Sequence, residues 1–178
     1  MKTKCMILCA IFASITSILS QISIPIPFTT VPLTMQIFSV ALTGMVLGSK
    51  RGFISIIIYL ILGAIGMPVF TQMRGGIGVL IGPTGGFLLG CPLMAFIIGL
   101  VSEKSSSRVK IILSMVGGLT VTYITGSIMF SLVTKSSLYQ SVLVCVLPFV
   151  LVDTIKLILA VGVGEVIVKK VNRATKSY

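Results

Sequence analysis

Six apolar runs, broken by short polar, proline-rich or glycine-rich stretches, fill the 178-residue chain. The first, residues 6–24, follows a basic start at Lys2 and Lys4 and mixes apolar with hydroxyl side chains. Its length suits a membrane span, which needs about 20 such residues. A secretory leader opens in the same way, but this run is long for one and no small-x-small cleavage site ends it. Residues 21–34 (QISIPIPFTTVPLT) carry three prolines and no charge, which predicts a surface loop. Residues 35–49 form a short second run stopped by Lys50, Arg51 and Gly52, and residues 53–67 a third that ends at Pro68. Residues 85–101 and 111–133 are the fourth and fifth, separated by the polar connector SEKSSSRVK at 102–110. After the turn TKSS (134–137), the last run, 138–168, is too long for one untilted crossing, so Pro148 is expected to start or kink its helix. The expectation is an all-α integral membrane protein, one domain over residues 1–178, with six transmembrane helices and both termini on one side.

Between the third and fourth runs lies GAIGMPVFTQMRGGIGVLIGPTGGFLLG, residues 63–90. Irregular backbone among membrane helices persists only where protein covers it or where it lines a cavity. This stretch is therefore expected to shape a pocket.

Composition agrees with the pattern. Hydrophobic residues make up 56% and charged residues 10%, and the mean hydropathy is +1.17, outside the usual range of soluble chains. The net charge of +11 would raise nucleic acid for a soluble protein, but the basic residues fall between apolar runs and there is no Trp. With the termini inside, the cytoplasmic segments hold Lys2, Lys4, Lys50, Arg51, Lys104, Arg108, Lys110, Lys169, Lys170, Arg173 and Lys176, against Arg74 and Lys135 outside. That asymmetry predicts cytoplasmic termini, with membrane lipid as the surrounding partner and no nucleic acid. Cys5, Cys9, Cys91 and Cys145 lie in apolar runs without CxxC spacing and read as small hydrophobes; with no His, a metal site has little to build from.

The sharpest candidate for chemistry is Asp153-x-x-Lys156, three apart on one helical face. Counting back from Lys169 places them about 24 and about 20 Å from the inner boundary, in the outer half of the membrane. Ionisable groups at that depth usually mark a substrate or ion site, the alternative being an ion pair that locks helices together. Arg74 is the single cation of the glycine-rich loop, flanked by Gln72, Gly75 and Gly76, and could grip a carboxylate. Glu103 and Glu165 fall near helix ends and read as solvated. GPTGG (82–86) lacks the GK[ST] of a phosphate loop and any preceding strand, so nothing here can hydrolyse ATP. Gly78, Gly82, Gly86 and Gly90, the pair Gly44 and Gly48, and Gly118, Thr122 and Gly126 recur every four residues and read as close-packing helix faces. Ala10, Ala13, Ser14 and Ser17 form a small-residue stripe on the first helix, for internal packing or for another membrane subunit.

GMPVF (66–70), the glycines Gly75 and Gly76, GPTGG (82–86) and the late D-x-x-K together resemble the BioY family, as does the segment from QISIPIP to VPLTMQ (21–36). Those are the biotin-specific S-components of energy-coupling factor (ECF) transporters, and the likeness covers essentially the whole chain. It implies six membrane helices in a bacterial plasma (inner) membrane and high-affinity capture of biotin from outside, without catalysis or cofactor. Partners would be an ECF transmembrane coupling protein and a pair of ABC ATPases. Asp153 and Lys156 would contact biotin, and Ala10, Ala13 and Ser14 would form the docking face. Ser14 stands where that face has alanine, Val152 where glycine usually precedes the acid, and Arg74 adds a charge to the pattern. Biotin offers ureido N–H donors, a ureido carbonyl, an apolar thioether ring and a carboxylate. Asp153 would accept from the ureido ring, while Lys156 or Arg74 would hold the carboxylate or ureido oxygen. Gln36, Gln72 and Tyr59 are further polar groups, Val69 and Phe70 would cover the rings, and Gly75 and Gly76 would bring backbone close. The rival reading is an ion-coupled or solitary carrier with Asp153 as the coupling carboxylate. A lipid-modifying enzyme would need His or paired acids near one surface, and the chain has neither.

Overall fold

The structure, a computed structural model, describes residues 3–26, 31–105 and 107–176. Lys2, residues 27–30 of the proline-rich stretch and the last two residues lie outside that description. Helix α1 (Thr3–Gln21) leads into a two-residue strand β1 (Ser23–Ile24), which pairs antiparallel with β2 (Leu33–Thr34). Then come α2 (Gln36–Leu47), α3 (Ser49–Ala64), the short α4 (Ile77–Ile81), α5 (Gly85–Lys104), α6 (Arg108–Thr134), α7 (Leu138–Cys145) and α8 (Leu147–Lys176).

Among the described helices, α1, α5 and α6 are each long and apolar enough to cross a membrane, and α7 with α8 makes a fourth span if the pair is counted as one. That pair bends by 47° between Cys145 and Leu147, and Pro148 falls in the first turn of α8, where its missing N–H leaves no helical bond unmade. The apolar α2 has only 12 residues, about 18 Å of helix.

Lys50, Arg51 and Gly52 do not end the second run. The reversal comes earlier, at Gly48 (φ +80°), and Lys50 and Arg51 belong to the first turn of α3. Glu103 explains the start of α3: it accepts from Ser49 N–H (2.9 Å) and Ser49 Oγ (3.0 Å), capping the helix end and favoured there by the helix dipole. Glu165 likewise has a built partner, a bidentate ion pair with Arg108 at 2.6 and 2.7 Å. Neither acid is simply solvated.

The glycine spacing resolves into two behaviours. A Cβ on Gly90 would meet Thr122 Cα at 2.8 Å, one on Gly86 would meet Gly126 Cα at 3.0 Å, and one on Gly118 would meet Met94. These residues let α5 and α6 pack backbone to backbone, as small faces do in lipid. Gly44 does the same for α2 against Ala95 of α5. Gly78, by contrast, faces open space, and Gly82 faces only its own turn. Buried hydroxyls add polar ties: Thr16 Oγ1 to Ser39 Oγ (2.8 Å) joins α1 to α2, and Ser55 Oγ to the Cys9 carbonyl (2.8 Å) joins α3 to α1.

The core around Ile56, Tyr59, Met94, Ile98 and Met115 is fully buried, yet Ile18, Ile61, Leu113, Leu132 and Leu151 stand exposed on the outside. Lipid is the solvent that makes such a surface stable.

Candidate functional site

Asp153 and Lys156 sit three residues apart in α8, so both side chains leave the helix on one face. Their ion pair is short, Nζ to Oδ1 2.8 Å, and both side chains are nearly inaccessible, at 5% and 6% exposure. Tyr123 of α6 donates from Oη to Asp153 Oδ2 (2.7 Å). Lys156 Nζ donates to the backbone carbonyl of Thr34 in β2 (2.7 Å). Two helices and a strand thus converge on one buried pair, and each charge has the additional hydrogen bond that burial demands. An ammonium has three protons, so Lys156 keeps one donor beyond these two bonds, and the carboxylate keeps lone pairs.

The pair forms one wall of a cavity of about 100 Å³. Thr34, Gln36, Gln72, Arg74, Tyr123, Asp153 and Lys156 supply its polar lining; Phe70, Val79, Phe87, Leu88 and Phe149 supply an apolar and aromatic one. A few polar groups set among apolar walls is the usual make-up of a small-ligand site.

The glycine-rich stretch contributes through a tight loop. Phe70 N–H donates to the Arg74 carbonyl (2.9 Å), and the turn Thr71–Met73 between them carries Gln72 and Met73 at φ +60° and +55°. Phe70 itself is anchored because Gly63 has no side chain; a Cβ there would overlap the phenyl ring. Arg74 is exposed, lines the cavity, and among the described residues no carboxylate pairs with it.

Of the residues singled out from sequence, Asp153, Lys156, Arg74, Gln72 and Phe70 meet at this cavity, joined by Gln36. Four others do not line it; of these Val69 is buried beside the lining, its carbonyl accepting from Ser20 Oγ at 2.6 Å. Tyr59 is fully buried behind Phe70, edge-on to its ring at 5.5 Å. Gly75 presses against the Met67 carbonyl, and Gly76 (φ +97°) donates to the Gly63 carbonyl at 2.6 Å, so both shape the loop. The small-residue stripe of α1 divides: Ala10 and Ser14 are exposed, whereas Ala13 is 1% exposed and belongs to the core.

Tyr123 and the Thr34 carbonyl were not legible as site groups. A tyrosine within an apolar run carries no spacing signal, and a backbone carbonyl carries none at all. Cys91 and Cys145, expected as small hydrophobes, are buried and unbridged, and they also line the cavity.

Residues 1–173 match the family profile described as BioY family. The chain belongs to the BioY family. Among its relatives, a probable biotin transporter BioY of Pyrococcus horikoshii is 41% identical over 165 residues, covering 93% of this chain and 96% of the other. A biotin transporter BioY of Thermotoga maritima is 42% identical over 137 residues, 77% of this chain and 80% of that one. The crystal structure of the S-component for biotin from an ECF-type ABC transporter superimposes with a TM-score of 0.86, covering 97% of this chain and 92% of that one at 30% identity. The helical architecture is therefore that of the S-component fold, and the chain is a multi-pass membrane protein of a transporter family, not an enzyme.

Proposed function

We propose that this chain captures biotin as the substrate-binding subunit of an ECF-type transporter. The observation that carries the reading is the buried Asp153–Lys156 pair in a cavity whose remaining walls are part amide, part aromatic. Asp153 accepts from the ureido N–H groups with the lone pairs left by Lys156 and Tyr123, and the third Lys156 proton reaches the ureido oxygen or the carboxylate. Arg74, at the exposed edge of the cavity, is the second cation able to hold the carboxylate. Phe70, Phe87 and Phe149 cover the apolar ring and chain. The relatives that carry the name of biotin transporter support the choice of vitamin.

The finer topology belongs to the same proposal. Six crossings, with α2 and α3 as short spans and local bilayer thinning to fit them, leave both termini cytoplasmic, as the distribution of Lys and Arg favours. The membrane is the bacterial plasma membrane. With no ATP-hydrolysing motif of its own, the chain draws energy from a transmembrane coupling protein and a pair of ABC ATPases, docked beside the exposed Ala10 and Ser14 of α1.

Competition binding to the purified chain in detergent, without ATP or partners, tests the reading. Radiolabelled biotin is expected to bind at one saturable site, displaced by unlabelled biotin but not by thiamine or riboflavin. Uptake by the chain alone in vesicles, driven by a proton or sodium gradient, would instead make Asp153 a coupling carboxylate and overturn the capture-subunit reading.

A further inference from the structure

Ser20 and Gln21 close α1, and neither lines the cavity. Their side chains instead hold the loop that does. Ser20 Oγ donates to the Val69 carbonyl at 2.6 Å. Gln21 Nε2 donates to the carbonyls of Phe70 (2.9 Å) and Pro68 (3.3 Å), and its Oε1 accepts from Met73 N–H (2.9 Å). Two adjacent side chains thereby engage four backbone groups within six residues of one loop.

That loop needs an external hold. It supplies Phe70, Thr71, Gln72 and Arg74 to the cavity, while Gln72, Met73 and Arg74 are exposed to the outside. Its own bonds are few, Phe70 N–H to the Arg74 carbonyl (2.9 Å) and Arg74 N–H to the Thr71 carbonyl (3.4 Å). Two consecutive non-glycine residues at positive φ are uncommon and persist only where their surroundings impose them. The amide of Gln21 is placed to impose it, because it bonds to both sides of the turn at once. The chain just beyond Gln21 also holds the opposite wall: the Ile22 carbonyl accepts from Met35 N–H (3.1 Å), and Ser23 and Ile24 pair with the strand whose Thr34 carbonyl receives Lys156.

We propose that Gln21 is a positioning residue whose amide latches the 68–74 loop over the cavity and so sets how long a bound ligand stays. The inference rests on the reading of the cavity as the biotin site. A ligand behind a latched loop leaves only when the loop opens, so weakening the latch shows in release before it shows in capture.

The test is Gln21→Ala in the full-length chain in detergent, with Gln21→Glu as the second variant; the glutamate keeps the acceptor for Met73 N–H and loses both donors. Biotin release from Gln21→Ala should be about tenfold faster than from wild type, with association no slower. Release from Gln21→Glu should be at least as fast as from Gln21→Ala, because its carboxylate would face the Phe70 and Pro68 carbonyls with no proton to share. In the ligand-free protein, amide hydrogen exchange should rise over residues 68–76 of Gln21→Ala while the rest of the chain and the melting temperature hold. Release within about twofold of wild type in a folded variant would overturn the latch. So would exchange that rises throughout the chain, because Gln21 would then only stabilise the fold. Absence of biotin binding to the wild type would strike the ligand assignment instead. The exchange comparison would still decide the latch, since unchanged protection at 68–76 removes it.

Discussion

Asp153 stands in a mostly apolar helix, and what makes it tolerable there is its company: Lys156 at 2.8 Å on one oxygen and Tyr123 at 2.7 Å on the other. Removing one partner of a buried pair leaves an uncompensated charge, a loss of about 3–5 kcal/mol, whereas replacing both by neutral residues of similar volume is often neutral or better. That asymmetry separates a structural pair from a binding one. Combining Asp153→Asn with Lys156→Met should leave the melting temperature in detergent near that of wild type and abolish biotin binding; retained binding would make the pair a helix lock only. Tyr123→Phe removes a hydrogen bond to a charged acceptor, worth about 1.5–3 kcal/mol. It should lower the melting temperature and weaken biotin binding together, and the two unchanged would mean that the phenol does not orient the carboxylate. The charged pair was legible because intramembrane charges are rare enough to be informative singly. Tyr123 was not, since its relevance comes from a rotation of α6 about its axis that the sequence does not record. Gly75, Gly76 and Tyr59 stand beside the cavity lining rather than in it, a distinction that residue type and position along the chain do not record.

At the scale of elements, the close approach of α5 and α6 depends on positions with no side chain. Gly126 is where the Phe87 ring packs, and a Cβ there would overlap it. Since Phe87 also lines the cavity, Gly126→Leu should cost about 1–3 kcal/mol or more through overpacking and disturb binding as well. Gly78→Leu faces open space and should do neither. Thermal unfolding of the two variants side by side reads the difference. The four-residue glycine period announced helix packing but could not say where along it the loop ends and α5 begins. The α2–α3 turn was misplaced for a related reason. Basic residues look like a stop, yet Lys50 and Arg51 are compatible with a first helical turn at a membrane surface, and the conformational break is the positive φ of Gly48. On α1 a stripe of small residues promised one face, but Ala13 turns inward, Ser17 is half-buried, and Ala10 and Ser14 stand exposed.

For the molecule as a whole, the apolar runs announced a multi-pass helical membrane protein, and the loop signature its family. Span number and sidedness follow from the proposed topology and have their own test. In a background lacking the native cysteines, Lys135→Cys should react with a membrane-impermeant maleimide on intact cells, and Lys110→Cys only after permeabilisation. The reverse pattern would invert the orientation. In the proposed function, biotin is held in the Asp153–Lys156 cavity. Titration calorimetry of biotin into the purified wild-type chain and Asp153→Asn, run in parallel, tests that most directly. One biotin per wild-type chain is expected, with binding at least about tenfold weaker in the variant and both proteins monodisperse, because a charged acceptor is exchanged for a neutral amide. Equal affinity in the two proteins would contradict this placement and move the site elsewhere in the molecule.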